Sequence, residues 1–190
     1  MQVMNSIENK IYEEVKGRCL SSNNVYGVGA WEHHIKLVYQ LAKENAKNYG
    51  ADEEVVALAA LLHDIASVTN KDYTEEHHII GAKIAEELLI EESYPRDKIE
   101  LIQKCIFNHR GSKLMNKNTP EEICIADADA MAHFYSIPSL LSMVYKEKQL
   151  SIDEGKEFVK NKLNRSYNKL SSKGKTLVEQ QYEAAKLLLR

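Results

Sequence analysis

Leu58-Ala59-Ala60-Leu61-Leu62-His63-Asp64-Ile65 is the stretch on which the reading of this chain turns. Its apolar residues suit a protein core, and the imidazole and carboxylate near its end would be costly to bury there unpaired. A divalent metal ion satisfies both at once, because such ions take neutral imidazole nitrogen and carboxylate oxygen as ligands. Outward from this pair, His34 lies upstream, and His78, His109 and Asp129 lie downstream.

Around the pair the chain keeps a helical rhythm. Only three prolines and eight glycines punctuate the 190 residues, and strand-like alternation is nearly absent. The periodicity predicts helices at about 3–19, 31–49, 52–65, 75–92, 96–109, 119–133, 136–148, 151–170 and 173–189. Asn48-Tyr49-Gly50 is a helix stop, and Asp52-Glu53-Glu54 is an acid cluster suited to a helix start. Thr119-Pro120-Glu121-Glu122 is another start signal, and Ser151-Ile152-Asp153-Glu154 has the spacing of a capping box. The expected fold is all-α, a single-domain bundle of about seven to nine helices over residues 1–190. The last forty or so residues show ordinary helical spacing (Phe158, Leu163, Tyr167; Tyr182, Ala185, Leu189) and read as a helical pair packed on the core.

Charge and cysteine content exclude whole classes of function. The net charge is −3 and the pI near 6.2, with lysines and arginines scattered singly, so a nucleic-acid polymer is not an expected partner. Cys19, Cys105 and Cys124 are an odd number without a CxxC pair, which suits reduced thiols. The N-terminus becomes charged before a signal-peptide core could form, and no apolar run approaches the roughly 18 residues of a membrane span. A soluble, cytoplasmic protein with no membrane partner is expected, and a homodimer is compatible with this composition.

The candidate ligands were placed by helix face. His34 shares a stripe with Val38, Leu41 and Ala42, whereas His33 sits with the more polar Leu37, Gln40 and Glu44. His63 follows the small Ala59 and Ala60, which leave room for an ion. His109 ends the stripe Ile99, Ile102 and Ile106. Periodicity does not separate Asp127 from Asp129, nor His77 from His78, because both alternatives face apolar neighbours.

Taken together, the pattern resembles the HD superfamily of metal-dependent phosphohydrolases, an all-helical family with a His…His-Asp…Asp signature. His34-Ile35-Lys36-Leu37-Val38, Ala59-Ala60-Leu61-Leu62-His63-Asp64-Ile65 and Ala128-Asp129-Ala130-Met131 carry the resemblance, which implies Asp129 over Asp127. His78-Ile79-Ile80-Gly81-Ala82 resembles the His-x-x-Gly-Ala element of members with extra ligands, which favours His78, and Ile102 to His109 resembles the second extra-histidine element. The resemblance runs from about Trp31 to Ser139, leaving 1–30 and 140–190 as helical flanks on that core. The implied ligand set is His34, His63, Asp64, His78, His109 and Asp129, with Asp64 bridging where two ions are held. Ser67 stands where members acting as nucleoside 5′-monophosphatases carry a glutamate, which argues against that activity.

The implied chemistry is attack of metal-activated water on a phosphate ester or anhydride of a small molecule or nucleotide. One or two divalent transition-metal ions are expected. Mn or Fe suit best, because imidazoles outnumber carboxylates, and Mg, Ni, Zn or Co are compatible. Asp64 and His109 are expected at the catalytic centre, with Arg110 and Lys113 as cationic handles for phosphate and His33 and His133 as acid–base or ligand-supporting groups. Pocket walls are expected from Ser22–Trp31, 110–118 and Phe134–Leu141, where Tyr26, Trp31, Phe134 and Tyr135 could stack on a base. Two other readings use the same residues: a di-iron oxygenase of HD type, and a non-catalytic metal- or ligand-binding module.

Overall fold

The computed structural model describes residues 5–24, 26–27, 29–110 and 117–190. Its α-helices in chain order are α1 (Ser6–Cys19), α2 (Lys36–Tyr49), α3 (Glu53–Leu62), α4 (Ile65–Thr69), α5 (His77–Glu91), α6 (Arg96–Asn108), α7 (Pro120–Tyr135), α8 (Ile137–Lys146), α9 (Ile152–Lys169) and α10 (Ser172–Leu188). No strand occurs among the described residues, so the all-α class is observed. No described helix is long and apolar enough to cross a membrane.

Polar residues set the helix boundaries. Asp52 accepts from the Glu54 and Val55 amides at the start of α3, and Gly50 closes α2 at φ 72°. Thr119 and Ser151 each form a capping box with the glutamate three residues on, opening α7 and α9. The buried Glu122 also accepts from the side chain of Asn108 and the amides of Asn118 and Thr119, so it ties the end of α6 to the start of α7.

Two expected helices are interrupted, both at histidines. The predicted helix 31–49 opens with a π turn over Trp31–Ile35. The predicted helix 52–65 breaks at His63-Asp64, where Asp64 leaves helical geometry (φ −109°, ψ 16°) before α4 resumes.

From Val55 to Leu62 every residue of α3 is buried, so this helix must be enclosed on all sides. It packs against α1, α2, α6 and α7. The small residues Ala126, Ala128, Ala130 and Ala132 let α7 lie at the centre too, with α2 and α6 on one side and α9 and α10 on the other. Asp127 latches the C-terminal pair in place. It accepts from the Tyr49 hydroxyl at 2.7 Å, the Ser171 amide at 3.0 Å and the Ser171 hydroxyl, holding the α9–α10 corner against α2 and α7.

Candidate metal centre

The break at His63-Asp64 is what brings the pair together. On a continuous helix, neighbouring side chains diverge by about 100°. With the backbone turned at Asp64, His63 Nε2 and Asp64 Oδ2 lie 3.5 Å apart. The π turn presents His34 to the same point: its Nε2 is 3.2 Å from His63 Nε2, 3.4 Å from Asp64 Oδ2 and 3.5 Å from Asp129 Oδ1. π insertions in helices often mark functional sites. Across Asp64, His77 Nε2 and His109 Nε2 each stand 3.9 Å from Oδ1. Three donor groups result: His34 with His63 and Asp64, His34 with Asp129 and His133, and Asp64 with His77 and His109.

Hydrogen bonds settle which ring nitrogens face inward. The Nδ1 atoms of His63, His77 and His109 lie 2.7, 2.7 and 2.5 Å from the carbonyls of Ala60, Thr74 and Ile106. A carbonyl only accepts, so each Nδ1 carries the proton, and Nε2 of a neutral ring presents a lone pair to Asp64. Burial pushes the His109 imidazole down to about 3, with His63 adding to the effect, and burial likewise lowers His63. Burial would raise the Asp64 carboxyl, but His63, His34 and His109 override it and hold it below the usual carboxylate range. A buried, ionised carboxylate thus faces several imidazole nitrogens, a donor set that a cation between them would satisfy. Bonds of about 2.1 Å would set donors roughly 3.0–3.4 Å apart around such an ion, close to the spacings seen here. The residues fit a divalent metal.

Around this cluster lies a cavity of about 380 Å³. Asp129 divides its two oxygens: Oδ1 faces His34, and Oδ2 accepts from Lys169 Nζ at 2.6 Å. Burial would raise its carboxyl, yet Lys169, His133 and His34 hold it well below its ordinary range. His133 stacks on His34 and bonds Ser166 Oγ at 3.0 Å through Nδ1.

The structure therefore brings together His34, His63, Asp64, His109 and Asp129, and takes His77 in the place expected for His78. His78 is buried outside the three donor groups, its ring 5.4 Å from that of Phe107 and 5.7 Å from that of His77, with Arg110 Nη1 3.5 Å from its Nδ1. Arg110 lines the cavity, but its guanidinium is held at the rim by the Glu75 carbonyl at 2.5 Å. Lys113 lies outside the described residues. Of the aromatic candidates only Tyr26 lines the cavity; Trp31 packs on Tyr12, Phe134 on Tyr182, and Tyr135 is exposed near Gln181. Sequence reasoning missed the cations on α9, Lys162, Arg165 and Lys169, which line the same cavity. Their spacing of three and four residues was the available signal.

The HD domain family model matches residues 31–133. Ribonuclease Y of Petrotoga mobilis is 30% identical over 107 residues, covering 56% of this chain and 19% of that protein. The chain spans 19% and 57% of the lengths of the curated relatives it matches. Bacillus subtilis YpgQ has the same fold, with TM-score 0.69 at 18% identity over 96% of this chain and 94% of that one. Its complex with ADP gives 0.63 at 18% identity over 90% of each chain. A predicted HD superfamily hydrolase from an uncultured Thermotogales bacterium gives 0.54 at 20% identity over 80% and 84%. The family match takes in His34, the His63-Asp64 pair and Asp129 and runs over more than half of the chain, so the chain belongs to the HD domain family.

Proposed function

We propose that this chain is a metal-dependent phosphohydrolase acting on small phosphate esters or anhydrides. The observation that carries this reading is the Asp64 carboxylate, shared by two imidazole groups beside a cavity walled by Arg110, Lys162, Arg165 and Lys169. Divalent ions, when bound, activate water and neutralise phosphoryl charge. His34, His63, Asp64 and Asp129 would hold one ion, and Asp64, His77 and His109 a second. Lys169 is a positioning residue that fixes Asp129. In the reaction the water oxygen bonds to phosphorus and gives up one proton to the medium, the bond from phosphorus to the leaving oxygen breaks, and that oxygen takes up a proton, so hydrolysis consumes one water and no net proton. His33, which lines the cavity outside the donor groups, would deliver that proton.

The cavity volume suits a small molecule or nucleotide. A net charge of −3 without a basic run favours such a substrate over RNA, although one relative is named as a ribonuclease. The Thermotogales neighbour's description as a predicted hydrolase agrees with this reading. Buried free thiols at Cys19, Cys105 and Cys124 suit a reducing cytoplasm.

The test is metal content per chain of protein purified without added metal or chelator, together with turnover of p-nitrophenyl phosphate, pyrophosphate and ADP. Two Mn or Fe per chain with turnover is expected, one fewer ion in His109→Ala. Full metal loading with no turnover of any of the three overturns the reading. Iron with a visible absorption band and no turnover would point to a di-iron oxygenase, which paired imidazole groups sharing Asp64 would also serve.

A further inference from the structure

Among the described residues, four cations and two carboxylates line the cavity: Arg110, Lys162, Arg165 and Lys169 against Asp64 and Asp129. Two of the cations are engaged. Lys169 is paired with Asp129, and Arg110 is bonded to the Glu75 carbonyl with the Glu75 carboxylate 3.7 Å away. Lys162 and Arg165 have no hydrogen bond and no carboxylate within 4 Å among the described residues, although Lys162 is half-buried. An unpaired cation half out of water is unfavourable unless something anionic joins it.

Their placement along α9 gives the direction. Lys169 touches Asp129, Ser166 touches His133 one turn back, and Lys162 lies one turn before Ser166 on the same cavity-lining face, its charge felt at His133 and Asp129. Seven residues of helix span about 10 Å. The row therefore runs from Asp129 past His133 along one cavity wall. Metal ions would neutralise the two aspartates, leaving Lys162 and Arg165 as surplus positive charge in the cavity beside the scissile position.

We propose that Lys162 and Arg165 form an anion subsite for a second phosphoryl group of the substrate, so that the cavity selects phosphoanhydrides over monophosphates. The inference rests on the phosphohydrolase reading for the scissile position and adds a binding site on the C-terminal helix. The guanidinium supplies paired donors for phosphate oxygens, and the ammonium supplies a point charge beside it.

Isothermal titration of the full chain as purified, with methylenediphosphonate and with orthophosphate, tests it. The readout is the preference for the diphosphonate over the single phosphate. Lys162→Gln and Arg165→Gln are each expected to reduce that preference about tenfold or more, as loss of a charge-assisted bond requires. Lys162→Arg keeps the charge and should restore most of the preference, which also shows that the position tolerates substitution. Lys160→Gln removes an equal charge from an exposed site on the same helix, paired only with Glu157, and should behave as the wild type. A preference unchanged within twofold in both Gln variants overturns the subsite, as does an equal loss in Lys160→Gln. Turnover of p-nitrophenyl phosphate by the same wild-type preparation separates the two ideas. No turnover with a collapsed preference sinks the phosphohydrolase reading and keeps the subsite; turnover with an unchanged preference does the reverse.

Discussion

Two adjacent histidines at the start of α5 illustrate what decides a ligand at the residue scale. His77 and His78 each lead an apolar stripe, so periodicity alone leaves both open. The Thr74 carbonyl fixes His77 Nδ1 and turns Nε2 toward Asp64, while His78 turns to the side of Phe107. His77→Ala is therefore expected to remove about one metal ion per chain, and His78→Ala to leave the count unchanged; elemental analysis of the two variants checks this. Asp64 is the carboxylate common to two of the donor groups. Asp64→Asn keeps its size and removes its charge, so metal content should collapse and turnover of p-nitrophenyl phosphate should fall by at least about 100-fold. Turnover within threefold of the wild type would remove Asp64 from the site.

At the scale of elements, a buried carboxylate ties the corner of the C-terminal pair to the rest of the bundle. Asp127 accepts three hydrogen bonds that join α2, α7 and the α9–α10 corner. Gly174, in the first turn of α10, lies against it: a Cβ there would meet Asp127 Oδ2 at 2.6 Å and Leu170 at 2.9 Å. Asp127 is too well tied to move aside. Gly174→Ala is thus expected to destabilise the fold by about 1–3 kcal/mol, measured by urea unfolding, despite alanine's better helix propensity. No loss of stability would mean that the corner yields. Because Lys169 lies next to this corner, the same variant should also disturb the Lys169–Asp129 pair. The aspartates were indistinguishable by face, and the fold gives them separate tasks: Asp127 builds the corner and Asp129 faces the histidines.

For the molecule as a whole, the donor groups draw on the π turn, the α3–α4 break, the start of α5, the end of α6 and the middle of α7. Ions bound there hold only the folded arrangement, so they stabilise it by mass action: about 2.7 kcal/mol at a hundredfold excess over Kd. In a chain of 190 residues this corresponds to roughly 5–10 °C in Tm. Chelation should lower the calorimetric Tm by that amount and re-addition of Mn²⁺ should restore it. A Tm indifferent to chelator would mean that the ion is not held across these helices.

Local chemistry made much of this legible beforehand. Caps at Asp52, Thr119 and Ser151 and the stop at Gly50 act through neighbouring backbone groups, so the sequence by itself determined most helix boundaries. His63-Asp64 pointed to a metal because such a pair in an apolar run is costly to bury without a partner. What only the tertiary structure decided depends on contacts between distant segments. The breaks at His34 and Asp64 exist because several side chains must converge on one point. His77 faces Asp64 because the Thr74 carbonyl holds its Nδ1 and the packing of α5 on α4 and α6 brings its Nε2 to that side. Lys162 and Arg165, unremarkable on an ordinary amphipathic helix, reach the cavity because α9 packs on α7, held there by Lys169 on Asp129, Ser166 on His133 and the Asp127 corner.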